Sequence, residues 1–278
     1  MNTGLRIEFI GVGEAFDPVL GNSSTLVHSG IDQNTGRGTK LLIDCGYSVP
    51  RDLFSRYQSP ELLDGVYFTH CHADHSFGFP ALIGRLRNDG RTRPLSVIGQ
   101  PGTAARLTEI YELAYPGSLA KAPFPIEFIE FDPAHPVLEW RNLHLAFAEL
   151  DHPMRNFGIR ITAGGVQAGI SGDGSMTPQS RDLFSTVDLL VHEAFQFERQ
   201  ETDPAAGFGH STVREVLDYV AASRSIRKAA LVHIRRLERH KCRRKAVEYW
   251  SQIGGPGSES GASPVEIIIP EPGDSVPI

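Results

Sequence analysis

Four potential metal ligands lie close together in the segment 69–75, which reads Thr-His-Cys-His-Ala-Asp-His. His70 and His72 are two residues apart, so on extended backbone their imidazoles point to the same side. Asp74 and His75 follow where the chain turns, and they can face a second point nearby. Burying these groups without partners would cost several kcal/mol, which favours a metal site over ordinary packing. Two ions side by side could activate a water molecule for hydrolysis.

Cys71 lies between two of these candidate ligands. Strand alternation should point its side chain away from them, so we interpret Cys71 as a small buried residue.

The remaining ligands of a two-metal site should come from the ends of other strands. Three residues have that setting: His152 after an apolar strand, Asp173 in a glycine-flanked turn, and His233 after the buried segment Leu-Val. His135, His144 and His240 have no comparable setting.

Strand and helix patterns alternate along the whole chain and should position these residues. The motif itself follows an apolar segment, 62–68, that we interpret as a buried strand, and it precedes a Gly-Phe-Pro helix entry. Further strands are predicted at 5–10, 24–28, 40–46, 95–99, 126–131, 143–149, 157–162, 166–172, 229–234 and 265–269. Helices are predicted at 49–57, 79–87, 101–113, 212–222 (with Ser211 as N-cap) and 235–253, with a hairpin turn at 32–38, a loop at 115–125 and a linker at 254–264. This order predicts an α/β protein in which two sheets pack together with helices outside, in a single domain over 1–278.

The composition is typical of a globular chain and indicates no particular class of binding partner. The 278 residues are 40 % hydrophobic and 22 % charged, with a formal net charge of −6, which gives no sign of a nucleic-acid-binding domain. No apolar stretch is long enough to span a bilayer, and the N-terminal segment lacks the apolar region of a signal peptide. Three scattered cysteines do not form a disulfide framework, so we expect a cytoplasmic protein that does not contact membranes.

The complete pattern resembles the metallo-β-lactamase-fold hydrolase superfamily, whose defining order is His-x-His-x-Asp-His followed by His, Asp and His. The resemblance implies a four-layer αβ/βα sandwich of two mixed β-sheets with helices on the outer faces and the metals at one edge. It also implies two Zn²⁺ ions, although Mn²⁺ or Fe²⁺ would suit the same ligand types. One ion would take His70, His72 and His152, the other Asp74, His75 and His233, and Asp173 would bridge the two.

Two further motifs are similar to the branch that contains RNase Z, phosphodiesterases and arylsulfatase-like enzymes. They are Leu-Leu-Val-His-Glu-Ala at 189–194 and Gly-His-Ser-Thr at 209–212. The likeness implies that His210 stabilises or protonates the leaving oxyanion, with Glu193 and His192 orienting it or the substrate. Together with Asp74, His210 and Glu193 are the predicted catalytic residues. Alternatively, His210 could cap the following helix and Glu193 could be a surface carboxylate at a strand end.

The chain departs from RNase Z between His152 and Asp173, where that enzyme carries its long tRNA-gripping arm. Here the interval holds only a short hairpin with Gly164 and Gly165. We therefore expect a small anionic or ester substrate, cleaved by a metal-bridging hydroxide, and favour a phosphodiester. The alternatives are a lactone, thioester or β-lactam hydrolase, a tRNA 3′-processing endonuclease, and a non-hydrolytic accessory protein of cofactor biosynthesis.

A basic run at 235–245 follows His233 and could hold phosphate groups near the metals. We favour a solvated helix face with Glu238 and Glu248 as local partners, so a nucleic-acid partner is disfavoured but stays open. A homodimer is compatible with the sequence.

Overall fold

The computed structural model describes residues 4–32, 35–199, 209–253 and 265–278. Within these residues the strands form two sheets. The first sheet contains β1 (Leu5–Gly11), β2 (Ser24–Ser29), β3 (Lys40–Ile43), β4 (Gly65–Phe68), β5 (Leu95–Gly99), β6 (Ile126–Glu130) and β14 (Ser275–Pro277). The second contains β7 (Val137–Trp140), β8 (Leu143–Leu150), β9 (Asn156–Ala163), β10 (Val166–Ile170), β11 (Leu189–Glu193), β12 (Lys228–Val232) and β13 (Glu266–Ile268).

Both sheets are mixed. The first has the order β14-β1-β2-β3-β4-β5-β6, with β3 to β6 parallel to one another and the remaining pairs antiparallel. The second has the order β13-β12-β11-β10-β9-β8-β7, with β10 to β13 parallel. Parallel strands carry their carboxyl ends to one edge of a sheet, and loops at that edge commonly hold functional residues.

Helices cover the outer faces of the two sheets. They are α1 (Val49–Arg56), α2 (Ala73–Ser76), α3 (Phe79–Asn88), α4 (Thr103–Ala114), α5 (Pro178–Phe184), α6 (Val213–Ala222) and α7 (Arg239–Ile253). One buried apolar cluster lies between the sheets, a second between the first sheet and α1, α3 and α4, and a third between the second sheet and α5, α6 and α7. The expected four-layer α/β sandwich is therefore confirmed.

Most predicted elements are present, and the differences have local physical causes. The predicted strand 40–46 ends at Ile43, since Asp44 adopts a left-handed φ of 61°. Ser211 as N-cap of α6 is wrong: Thr212 caps the helix, accepting a hydrogen bond from the Glu215 amide while the Glu215 carboxylate accepts one from the Thr212 amide. Helix α7 begins at Arg239 rather than at 235.

The edge strands β7 and β14 and the helix α5 lie outside the predicted elements. The predicted linker 254–264 and two residues of the predicted turn 32–38 lie outside the described part of the chain. Among the described residues, no helix combines the length and apolar character needed to cross a bilayer.

Candidate metal centre

All seven predicted ligands come together at one edge of the sandwich. Five of them lie just beyond the end of a strand: His70 and His72 follow β4, His152 follows β8, Asp173 follows β10 and His233 follows β12. The short helix α2 then brings Asp74 and His75 back towards the same edge. The ligand atoms form two groups that could each hold a metal ion, and within each group these atoms lie within 4.8 Å of one another.

The first group consists of His70, His72, His152 and Asp173. The His72 Nδ1 atom lies 3.0 Å from His70 Nε2 and 3.2 Å from His152 Nε2. Four ligands around a zinc ion at about 2.05 Å would be separated by about 3.3 Å, the edge of a tetrahedron. The spacing of the three ring nitrogens therefore matches a shared coordination sphere.

The second group consists of Asp74, His75, Asp173 and His233, and it shares Asp173 with the first. His75 Nε2 lies 3.3 Å from Asp74 Oδ2 and 3.3 Å from Asp173 Oδ1. His233 Nε2 lies 3.3 Å from Asp74 Oδ2 and 3.5 Å from Asp173 Oδ2. These separations also fit the edge of a metal polyhedron. Both oxygens of Asp173 lie beside the second group, and Oδ2 also lies 3.9 Å from His70 Nε2 of the first group.

Buried polar atoms of this site lack hydrogen-bond partners within the described part of the chain. His75 Nε2 and Asp173 Oδ1 are buried, and neither has a hydrogen-bond partner in the described structure. Because unsatisfied buried polar atoms are rare, two such atoms side by side need an explanation, and a bound cation supplies one. The residues present therefore fit a divalent metal.

The histidines of the two groups differ in the direction of their pKa shifts. Burial holds the pKa of His70 well below its usual value and lowers that of His152 to about 4, so both rings are neutral near pH 7 and keep a lone pair for a metal. Burial would also lower the pKa of His233, but the carboxylates of Asp173 and Asp74 outweigh it and raise the pKa to about 9. The second group thus attracts positive charge, which a divalent cation would provide in place of protons.

Asp44 contacts a predicted metal ligand, a pairing that the sequence patterns did not reveal. Its Oδ2 atom accepts a hydrogen bond from His75 Nδ1 at 2.8 Å, and its two oxygens also accept bonds from the amide and hydroxyl of Thr69. A carboxylate behind a ligating histidine fixes the ring and its tautomer. The only sequence signal is an aspartate at a strand end, before Cys45 and Gly46, and that signal is not specific.

His210 and Glu193 form a buried pair beside the metal-ligand groups. Glu193 is fully buried, and its Oε1 atom accepts hydrogen bonds from His210 Nδ1 at 3.0 Å and from the amides of Gly174 and Ser211. Burial would lower the pKa of His210, but the Glu193 carboxylate outweighs it and raises the pKa. Glu193 is therefore not a surface carboxylate, and His210 does not cap α6. With His233 the pair also forms a third group of potential ligands.

Among the described residues, His192, the neighbour of Glu193, forms no hydrogen bond and no ring contact with the two metal-ligand groups. Its ring is fully buried, its Nδ1 donates to the Glu193 carbonyl, and its Nε2 has no hydrogen-bond partner in the part of the chain that the structure describes. Phe184 is its aromatic neighbour, at 6.2 Å between ring centroids.

Cys71 is a free cysteine outside the three ligand groups, as predicted, but it is partly exposed and not buried, because the chain leaves β4 before this position. The basic run after His233 is largely paired with acidic side chains. Lys241 contacts Glu238 at 2.9 Å and Arg244 contacts Glu248 at 3.9 Å, so both expected local partners are confirmed.

Comparison with known proteins gives the same fold. The metallo-β-lactamase fold protein YhfI from Bacillus subtilis superposes with a TM-score of 0.76 at 23 % identity, covering 99 % of both chains. Human tRNase Z, short form, superposes with a TM-score of 0.70 at 18 % identity and covers 98 % of both chains. A ribonuclease Z of Bacillus cereus (strain AH187) is 24 % identical over 280 aligned positions, covering 83 % of this chain and 88 % of that protein.

The resemblance to the metallo-β-lactamase-fold superfamily is therefore confirmed. A family model described as Anti-Pycsar protein Apyc1 matches residues 5–246, which include all seven clustered ligands as well as Glu193 and His210. The chain belongs to the Anti-Pycsar protein Apyc1 family, and its architecture is the metallo-β-lactamase fold.

Proposed function

We propose that this protein is a dinuclear metal-dependent hydrolase that cleaves a phosphodiester or a related ester. One observation carries the proposal: two groups of potential ligand atoms share a single buried carboxylate, Asp173. A shared carboxylate between two such groups is the arrangement that holds two metal ions a few ångströms apart.

In this proposal one ion would be held by His70, His72 and His152 and the other by Asp74, His75 and His233, with Asp173 shared between the two groups. Zinc suits the mixture of imidazole and carboxylate ligands, and manganese or iron would be accepted by the same atoms. When bound, the ions would lower the pKa of a water molecule to supply a nucleophile and would polarise the ester being attacked.

The chain's own contribution to the reaction is a proton at the leaving group. His210 carries a proton on Nδ1 that it donates to Glu193, and the raised pKa of the ring favours the doubly protonated form. Nε2 then holds the second proton and can donate it to a departing oxyanion. The His210 ring is held by stacking on Phe195 at 4.6 Å between centroids, so its direction is fixed before substrate arrives. Glu193 acts through His210 as a positioning residue.

The surroundings favour a small substrate. A cleft of about 720 Å³ begins at His152 and is lined by Phe147, Phe157 and Arg155, with room for the organic part of a small ester. Between His152 and Asp173 the chain contains only the antiparallel strands β9 and β10, joined at Gly164 and Gly165. No segment in this interval could grip a tRNA, which argues against tRNA processing.

The test is hydrolysis of bis(p-nitrophenyl) phosphate by protein of measured metal content. We expect about two ions per chain and turnover that is lost on His210→Ala, with metal content unchanged in that variant. Faster turnover of a lactone, a thioester or a β-lactam would favour the alternative hydrolase. Full metal loading without turnover on any ester would contradict the proposal and favour a non-hydrolytic role.

A further inference from the structure

A second cavity lies at the opposite end of the strands from the metal-ligand groups. Its volume is about 390 Å³, within the range of small-ligand sites. Asp64 precedes β4 at this cavity while His70 follows β4 at the metal centre, a separation of about 20 Å for six residues of extended chain. The charged residues that line the cavity are Arg6, Arg37, Lys40, Glu61, Asp64 and Arg93.

One buried carboxylate organises three guanidinium groups at this cavity. The Asp64 side chain is 3 % exposed, and its Oδ1 atom contacts Arg37 Nη2 at 3.1 Å, Arg141 Nη1 at 3.8 Å and Arg93 Nη2. Its Oδ2 atom accepts a hydrogen bond from the Lys40 amide at 2.9 Å. A single carboxylate cannot neutralise three guanidinium groups, so positive charge is left over at the cavity.

The other acidic groups nearby do not remove this excess. Glu61 contacts the buried Arg91 at 3.9 Å and receives hydrogen bonds from Thr92, while Glu8 pairs with Arg6 at 3.3 Å and with His28 at 3.1 Å. Among the residues that line the cavity, four side chains are cationic and two are carboxylates: Arg6, Arg37, Lys40 and Arg93 against Glu61 and Asp64. The lining thus has two excess positive formal charges in a chain whose net charge is −6.

These cations are held in place and still open to solvent. The side chains of Arg6, Arg37 and Arg93 are 38 %, 44 % and 32 % exposed, so each can be reached from the cavity. Arg93 is fixed by a further hydrogen bond from Nη1 to the Glu61 carbonyl at 3.1 Å. Guanidinium groups that are already positioned lose little entropy when they bind an anion, and their planar shape matches two oxygens of a phosphate.

We propose that this cavity binds a phosphorylated small molecule through its phosphate groups. The binding site is separate from the metal centre, and the proposal does not depend on the hydrolytic function. The excess positive charge of the lining fits a polyanion such as a diphosphate group better than a monoanion. The phosphate oxygens would be bound by Arg37 from the loop before β3, by Lys40 at the start of β3, and by Arg93.

Titration calorimetry of the metal-loaded protein with methylenediphosphonate, a non-hydrolysable diphosphate, tests the proposal. We expect Arg37→Gln or Lys40→Gln to weaken binding about tenfold each, and the double variant about a hundredfold. The matched control is Arg51→Gln with Arg244→Gln, two side chains that are 70 % and 73 % exposed and lie outside the cavity. Turnover at the metal centre should be the same in all these variants.

Several results would overturn the proposal. Equal diphosphonate affinity in the wild type and the Arg37/Lys40 double variant would show that the ligand binds only at the metal centre. A lower melting temperature of the double variant, with the same ligand-induced shift as the wild type, would show that the cluster only stabilises the fold. Binding of single-stranded RNA, but not of diphosphonate, that is sensitive to Arg37→Gln would assign the cavity to a polymer instead.

A parallel titration with adenosine diphosphate identifies the source of the phosphate. Affinity equal to that of methylenediphosphonate supports an inorganic or minimal phosphate ligand, and higher affinity supports a nucleotide. In both cases the proposal requires the affinity to fall in the Arg37/Lys40 double variant.

Discussion

Replacement of Glu193 by glutamine tests how the proposed proton donor is controlled. The carboxylate accepts bonds from His210, Gly174 and Ser211 at Oε1 and from the Phe195 amide at Oε2, at 3.2 Å. A glutamine can keep its oxygen towards the first three donors, but its NH₂ group then faces the Phe195 amide. The Phe195 amide keeps its bond to the Ser211 carbonyl at 3.0 Å, but the buried NH₂ group of the glutamine faces a donor instead of an acceptor, so we expect a loss of about 1–3 kcal/mol in the free energy of unfolding.

The effect on turnover follows from charge. A hydrogen bond to an ionised partner contributes about 1.5–3 kcal/mol and a neutral one about 0.5–1.5, so the protonated His210 ring loses about 1–2 kcal/mol of stabilisation. This corresponds to about a 5- to 30-fold fall in kcat. Without the carboxylate the pKa of His210 falls, so the proton is lost at lower pH. The alkaline limb of the kcat profile should therefore move to lower pH.

The assay compares two phosphodiesters, one with a p-nitrophenolate leaving group and one, a dinucleoside phosphate, with a sugar alkoxide. A poor leaving group needs a proton more, so Glu193→Gln and His210→Ala should slow the dinucleoside phosphate more than bis(p-nitrophenyl) phosphate. Glu109→Gln, at a carboxylate that is 63 % exposed and lies outside this cleft, is the matched control. Equal losses on both substrates, with an unshifted pH profile, would refute the proton-donor role.

Asp44→Asn should weaken metal binding about 10- to 100-fold, because the amide cannot fix His75 as the carboxylate does; competition with a chelator measures this, and wild-type affinity would contradict it. In Gly46→Ala the added Cβ would lie 1.9 Å from the Asp74 carbonyl oxygen. We expect lower metal content and a free energy of unfolding that is lower by about 1–3 kcal/mol. Full metal content would show that the backbone shifts to accommodate the methyl group. Burial would raise the pKa of Glu8, but hydrogen bonds from His28 and Tyr57 outweigh it and hold the pKa at about 2, below the usual 4.5. The contribution of the Glu8 carboxylate to stability is therefore complete above pH 4.5 and is lost as pH falls towards 2. The difference in unfolding free energy between wild type and Glu8→Gln, from urea titrations, should therefore shrink over that range, and a constant difference would contradict the assignment.

The clustering of the seven proposed ligands was predictable because spacing and strand ends constrain their positions. His70 and His72 share a side of extended backbone, and His152, Asp173 and His233 each follow a buried strand, so fold and site support one another. The pattern that identifies them depends on residue order alone, which a sequence displays directly.

Residues that act through three-dimensional contacts were harder to predict. Asp44 contacts His75 across 31 positions of the chain, and no local pattern marks that pairing. Glu193 is buried because donors from three separate segments converge on it, which a sequence cannot show. At α6, Ser211 and Thr212 are equally good caps by type, and the reciprocal bond with Glu215 decides between them.

The contacts of Asp44 have a further consequence for how ions enter. Through Thr69 and His75, this one carboxylate joins the loop after β4 to the helix α2, so both halves of the histidine motif are tied together by the polypeptide itself. Small zinc domains, in contrast, acquire their shape only when the ion arrives. Here the cage is assembled by sheet ends and hydrogen bonds, so a chelated sample should stay folded and accept a different metal without refolding.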